Sequence, residues 1–290
     1  MLFLDFLQQN QWAFLLIITF IGMSVGSFLN VVIFRLPKML ERQWHRDCLE
    51  LQGEEIGDNQ EPFNLNHPPS HCTACGHRIK PWENIPILSW LFLRGRCSNC
   101  GTKISLRYPI IEALTTIFSV TVALQFGVSW ETAAALLLTW SLISLSLIDF
   151  DVQLLPDAIT LPFLWLGLTL SLFNLFTDPN SAIIGATLGY LSLWSVYQLF
   201  KRLTGKEGMG YGDFKLLAML GAWLGWQYLP QIIMLSALVG AVVGLSLILL
   251  RGHDKNIPIP FGPYLAAAGW ISLLWGDTIN QAYLNYTGLG

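Results

Sequence analysis

Charge is what this chain has least of. Only 12% of its 290 residues are Asp, Glu, Lys or Arg, against roughly a quarter in an ordinary soluble domain, while 53% are hydrophobic and the mean hydropathy is +0.51. That shortage excludes a soluble globular domain, and with a net charge of -3 no nucleic-acid partner is expected. Two motifs are also absent. No HExxH helix offers an open catalytic zinc site, and no glycine pattern of the dinucleotide-binding kind occurs. Met1 to Asn10 hold no Lys or Arg, and no small-residue cleavage site follows the first hydrophobic run, so that run is expected to stay as a membrane helix.

What the chain does have is a series of apolar runs near bilayer-spanning length, at about 11–34, 109–126, 132–148, 158–176, 181–200, 214–229, 231–250 and 260–276. The fold class expected is an all-α polytopic membrane protein of about eight transmembrane helices, the sixth and eighth being short or glycine-interrupted. Threading eight spans with the N-terminus outside puts segments 35–108, 149–157, 201–213 and 251–259 inside. Ten of the 16 Lys and Arg then fall in the first of these, from Arg35 to Arg107. Lys201, Arg202 and Lys206 fall in the third, Arg251 and Lys255 in the fourth, and Lys215 beside the inner face. The outer segments hold none, as the positive-inside rule requires. The expected organisation is a first helix over 1–34, a cytoplasmic loop domain over 35–108 and a seven-helix membrane domain over 109–290.

Within this frame two carboxylates stand out. Asp149 closes the apolar run Leu136 to Ile148, and Asp213 follows Gly210-Tyr211-Gly212 just ahead of the run from Phe214. A membrane-boundary charge is costly without a task, and two on one face suggest a shared site. Two carboxylates sharing a proton can activate water for peptide hydrolysis. Asp151 and Asp157 are the rivals: Asp151 lies further into the loop, and Asp157 opens the fourth span as an expected helix cap. Helix dipoles suggest an asymmetry. Asp149 ends its helix, where a charge is disfavoured, whereas Asp213 begins one; Asp149 is therefore expected to carry the shared proton and Asp213 to be the base. Glycines 208, 210 and 212 are expected to let the backbone bend and an extended substrate approach.

The long loop holds four of the five cysteines as Cys72-Thr-Ala-Cys75 and Cys97-Ser-Asn-Cys100, each pair followed by glycine (Gly76, Gly101). In a reducing cytosol this spacing points to a structural zinc site with all four thiolates as ligands, a bare redox dithiol pair being the alternative. His71 and His77 are expected as polar neighbours, and Cys48 as an ordinary free thiol. Residues 38–66, rich in Glu54, Glu55, Asp58 and Glu61, read as a mobile insertion.

Together these residues resemble the type IV prepilin leader peptidases, intramembrane aspartyl proteases that also N-methylate their product. The resemblance runs over nearly the whole length. It is carried by Gly26 to Ile33 with Arg35-Leu36-Pro37, Glu83-Asn84-Ile85-Pro86, Arg94-Gly95-Arg96-Cys97, Arg107-Tyr108-Pro109 with Glu112, Ile148-Asp149 with Leu154-Leu155-Pro156-Asp157, Gly208 to Lys215, and Pro260 to Tyr264. It implies Asp149 and Asp213 as catalytic residues and a bacterial inner membrane location. Implied substrates are type IV prepilins and the pseudopilins of type II secretion, in contact with membrane lipid, and the implied methyl donor is S-adenosylmethionine. Its binding residues are not legible; Gly95 and Glu112 are weak candidates, and Glu112 reads equally as a snorkelling or Arg107-paired carboxylate. The alternatives are a peptidase without methyl transfer, whose representatives often lack the four-cysteine loop, a docking scaffold, and a proton- or cation-coupled transporter. Against the last, the chain shows no clear inverted repeat, and its aspartates lie at one face instead of the midplane.

Overall fold

In the computed structural model, residues 2–53, 62–251 and 260–287 are described, and they divide into two compact units, Met1–Val128 and Ser129–Gly290. Each of the eight apolar runs contains a helix, the fourth ending at Ser171, and among the described residues no strand forms; only two isolated bridges occur, both in the cysteine loop.

The first unit contains α1 (Leu2–Gln9), α2 (Gln11–Gln52), α3 (Leu88–Phe92) and α4 (Arg107–Phe126). Small residues let α2 and α4 approach closely. A Cβ on Gly22 would lie 3.0 Å from the Thr116 backbone and one on Gly26 2.7 Å from Glu112 Cα, while Asn30 Nδ2 donates to the Tyr108 carbonyl at 3.3 Å. The two helices therefore run antiparallel, packed by dispersion and hydrogen bonding, the forces that associate helices in lipid. Sequence and structure differ here. The first span continues through Pro37 to Gln52, so Lys38–Gln52, expected as part of a mobile insertion, is helix; Gly53 closes it in the left-handed conformation (φ 71°). Glu54, Glu55, Asp58 and Glu61 lie outside the described residues.

The second unit is built from α5 (Trp130–Val152), α6 (Asp157–Ser171), α7 (Pro179–Thr204), α8 (Tyr211–Leu224), α9 (Leu229–Arg251) and α10 (Gly262–Thr287). Ser129 caps α5 by accepting from Thr132 N–H, and Asp178 caps α7 by accepting from Asn180 and Ser181 N–H. At the centre is α8, whose Phe214, Leu216, Leu217, Met219 and Leu220 are fully buried. It meets α7 with almost no space between backbones: a Cβ on Gly185 would stand 2.3 Å from the Gly221 carbonyl oxygen. Trp223 Nε1 donates to the Phe163 carbonyl at 2.7 Å, tying α8 to α6. The sixth span is shorter than its apolar run, because Gly225 (φ 90°) ends the helix and Trp226–Tyr228 form a separate tight turn. Among the described residues five helices are long and apolar enough to cross a membrane: α2, α4, α5, α7 and Trp226–Ser246, which covers much of α9.

Candidate active site

Asp149 and Asp213 both lie in the second unit, and both are buried, at 6% and 7% exposure. Asp149 sits in the last turn of α5, which Gln153 closes in the left-handed conformation with its N–H on the Asp149 carbonyl at 2.8 Å. Asp213 is the third residue of α8, where its own N–H donates to the carbonyl of the N-cap Gly210 at 3.3 Å. The two carboxylates are close enough to interact electrostatically. Leu155 is wedged between their supports: a Cβ on Gly212 would lie 2.8 Å from Leu155 Cβ, and one on Gly262 3.2 Å from Leu155 Cδ1.

The partner of Asp149 was not legible. Gly262, first residue of α10, donates its N–H to Asp149 Oδ2 at 3.0 Å in a buried hydrogen bond. Asp149 thus ends one helix and faces the N-terminus of another. The dipole argument that assigned it the shared proton considered only the C-terminus of α5, whereas Asp149 also meets the N-terminus of α10 and its backbone donor. The only signal for Gly262 was its place in the Pro260 to Tyr264 motif.

The glycines meet a steric demand. None of Gly208, Gly210 and Gly212 adopts positive φ. Two are needed for space: a Cβ at Gly208 would stand 2.8 Å from the Phe200 ring, and one at Gly212 would strike Leu155. Asp157, expected as a cap, instead binds Lys215 Nζ through both oxygens at 2.7 Å, joining the start of α6 to the start of α8 two residues beyond Asp213. Asp151 is exposed, unlike the buried pair.

In the first unit the four cysteine Sγ atoms all lie within 4.8 Å of one another, with Cys72 and Cys100 at 3.9 Å. A tetrahedral ion with Zn–S bonds of about 2.3 Å needs sulfurs at roughly 3.8 Å, so the donor set fits zinc. The knuckles are near-copies: Cys72 N–H donates to His77 O and Gly76 N–H to Cys72 O, as Cys97 N–H donates to Thr102 O and Gly101 N–H to Cys97 O. Gly76 and Gly101 have φ of 69° and 71°, the conformation such turns demand of glycine. Thr102, through its hydroxyl and its backbone, pushes the Cys100 thiol down to about 6, and backbone N–H groups of Ala74 and Cys75 lower that of Cys72. Both shifts favour the thiolates a metal requires, whereas desolvation and its sulfur neighbours push the Cys75 thiol up. His71 Nδ1 lies 3.0 Å from the Pro69 carbonyl and His77 Nε2 3.5 Å from Glu83; neither belongs to the sulfur cluster. Cys48 is exposed on α2.

Both weak candidates for the methyl donor carry local structure. Gly95 (φ 65°) lies against Trp90, whose ring a Cβ would meet at 2.6 Å. Glu112 is buried, and its Oε2 accepts from the Ile87 N–H at 2.7 Å.

Comparison with known proteins agrees with this geometry. The bacterial peptidase A24 N-terminal domain matches residues 20–126, and the type IV leader peptidase family matches residues 136–245. A prepilin leader peptidase/N-methyltransferase of Pseudomonas aeruginosa is 56% identical over 285 residues, covering 98% of each chain. Proteins of the same name from Stutzerimonas stutzeri and Aeromonas hydrophila are each 55% identical, over 98% of this chain and 99% and 98% of their own. No solved structure matches. With relatives this similar over nearly their whole lengths, and a buried aspartate pair on the helices that the family pattern covers, the chain belongs to the type IV leader peptidase family.

Proposed function

We propose that this chain is a bifunctional membrane enzyme that cleaves the leader peptide from type IV prepilins and type II secretion pseudopilins, then N-methylates the residue it exposes. The observation that carries the peptidase reading is the buried pair, Asp149 and Asp213, the first held by the Gly262 N–H and the two in electrostatic contact. The termini orientation expected from the charge count places this pair at the cytoplasmic face, with the N-terminus periplasmic.

One aspartate takes a proton from a water molecule, and the hydroxyl oxygen attacks the scissile carbonyl carbon. The other gives a proton to the carbonyl oxygen, forming a neutral tetrahedral diol. Collapse of the diol breaks the C–N bond, and the departing nitrogen takes a proton from the pair. The products are a leader ending in a carboxylate and a pilin beginning with a free amine. No acyl-enzyme forms, since neither carboxylate attacks the carbon. Burial keeps the carboxylates in low dielectric, where the charge moved in each step is felt strongly.

Cys72, Cys75, Cys97 and Cys100 would hold zinc, which supplies structure, its four positions being filled by sulfur. S-adenosylmethionine supplies the methyl group to the new amine, and Gly95 and Glu112 remain its candidate contacts.

The test is to incubate the purified protein with a model prepilin, with and without S-adenosylmethionine, and to record product masses. A leader-sized loss absent from Asp149→Ala and Asp213→Ala, plus one methyl when the donor is present, is the expected result. Cleavage by either aspartate variant would overturn the assignment. Cleavage without methyl gain would leave a peptidase alone.

A further inference from the structure

Between the two cysteine knuckles runs a strap, Lys80 to Arg96, whose surface suits neither water nor a protein core. Its short helix α3 presents Leu88, Leu91 and Phe92 at i, i+3 and i+4, one face of a helix, and all three are exposed, Phe92 at 84%. Trp82 is exposed at 64%, with Lys80 Nζ stacked 5.4 Å over its ring. Trp90, by contrast, turns inward over Gly95.

The strap is pinned to a membrane helix. Glu112 lies five residues into α4, about 7.5 Å along its axis from Arg107, and its carboxylate holds the Ile87 N–H at 2.7 Å. Ile87, immediately before α3, has φ +60°, costly for a β-branched residue and held in place by this bond. The apolar face is therefore tied to the first turns of α4. Around it, residues 67–110 hold six basic side chains (Arg78, Lys80, Arg94, Arg96, Lys103, Arg107) and one acid, Glu83. Glu83 is engaged by the Lys80 N–H and His77.

We infer that this strap is an interfacial anchor. Leu88, Leu91 and Phe92 enter the headgroup region of the bilayer the chain spans, and Lys80, Arg94 and Arg96 contact anionic phospholipid headgroups. An apolar face rimmed by basic side chains, tied to the first turns of a membrane helix, fits that surface by both apolarity and charge. The inference is independent of the aspartate chemistry.

The full chain would be reconstituted into nanodiscs of phosphatidylcholine alone and of equal parts phosphatidylcholine and phosphatidylglycerol, each doped with phospholipid carrying a diazirine in its acyl chain. Mass spectrometry after illumination reads lipid adducts on peptides covering 85–93. Adducts are expected in both, several-fold more with phosphatidylglycerol, and added salt should erode that excess. L91D/F92D should bring labelling to background. K80E/R94E/R96E should remove the phosphatidylglycerol preference, each lost positive charge accounting for roughly fivefold in the ratio of inserted to lifted strap. Hydrogen-exchange protection of α2 and α4 verifies that each variant keeps its fold, and the wild-type lipid comparison decides the matter if one does not. Absence of lipid adducts on the wild-type strap, or labelling of folded L91D/F92D equal to wild type, would overturn the inference.

Discussion

Helix α8 and the cysteine loop are held in opposite ways. Eleven of the fourteen residues of α8 are buried, whereas among residues 62–106 Gly95 alone is. The first is positioned by close packing, with glycine backbones in contact and large apolar side chains filling the space around them. The second has no apolar core, and burial contributes little against the conformational entropy of ordering it. Its order comes from paired knuckles, an arginine (Arg35) donating to the carbonyls of Asn64, Leu65 and Pro68, and a sulfur cluster suited to metal. The carboxylates on the peptidase helices should therefore be insensitive to the metal, and the loop acutely sensitive to it.

The severest way to break the comparison is at the carboxylates. Asp149→Asn and Asp213→Asn should each lower cleavage by about 10²–10⁴-fold, the range for loss of a general acid or base, with thermal unfolding little changed. Product masses over time, beside a melting curve, check both halves. Next comes the metal. Chelation, or Cys72→Ser, should abolish hydrogen-exchange protection across 62–106, because apparent zinc binding of about 10–16 kcal/mol is folding energy in such modules. Protection of α5, α7 and α8 should persist; collapse of both regions together would show that the contrast is false.

A smaller effect is expected at Gly262. Gly262→Ala puts a Cβ 2.7 Å from Asp149 Oδ2 and disturbs a charged hydrogen bond. Such bonds are worth about 1.5–3 kcal/mol, so cleavage should fall roughly 10- to 150-fold with the fold intact. Smallest is the exposed pair Asp157–Lys215. Lys215→Ala should cost about 0.2–1 kcal/mol in stability, measurable as a small shift in melting temperature, with cleavage reduced less than tenfold.

Apolar runs were legible because a bilayer demands them, and each contains a helix, five of the helices among the described residues being long and apolar enough to cross. The aspartates stood out as charges where charge is scarce, and the cysteines by their spacing. What stayed hidden was pairing across distance. Gly262 lies 113 residues from Asp149, and Lys215 58 residues from Asp157, so no local period links them. For the motif glycines a steric need stayed hidden: only the neighbours Phe200 and Leu155 reveal what a side chain at Gly208 or Gly212 would hit. The extension of α2 to Gln52 was missed because its charged second half lacks the apolar pattern, and Pro37 reads as a stop.

The α2–α4 seam also sets a waiting time during synthesis. Gly26 is made 86 residues before its neighbour Glu112, which at a ribosome's pace of 5–20 residues per second is on the order of 4–17 s. Through that interval Asn30 has no α4 carbonyl to reach. Its amide also donates to Gly26 O at 3.2 Å within its own helix, so the nascent segment carries a provisional acceptor until Tyr108 arrives.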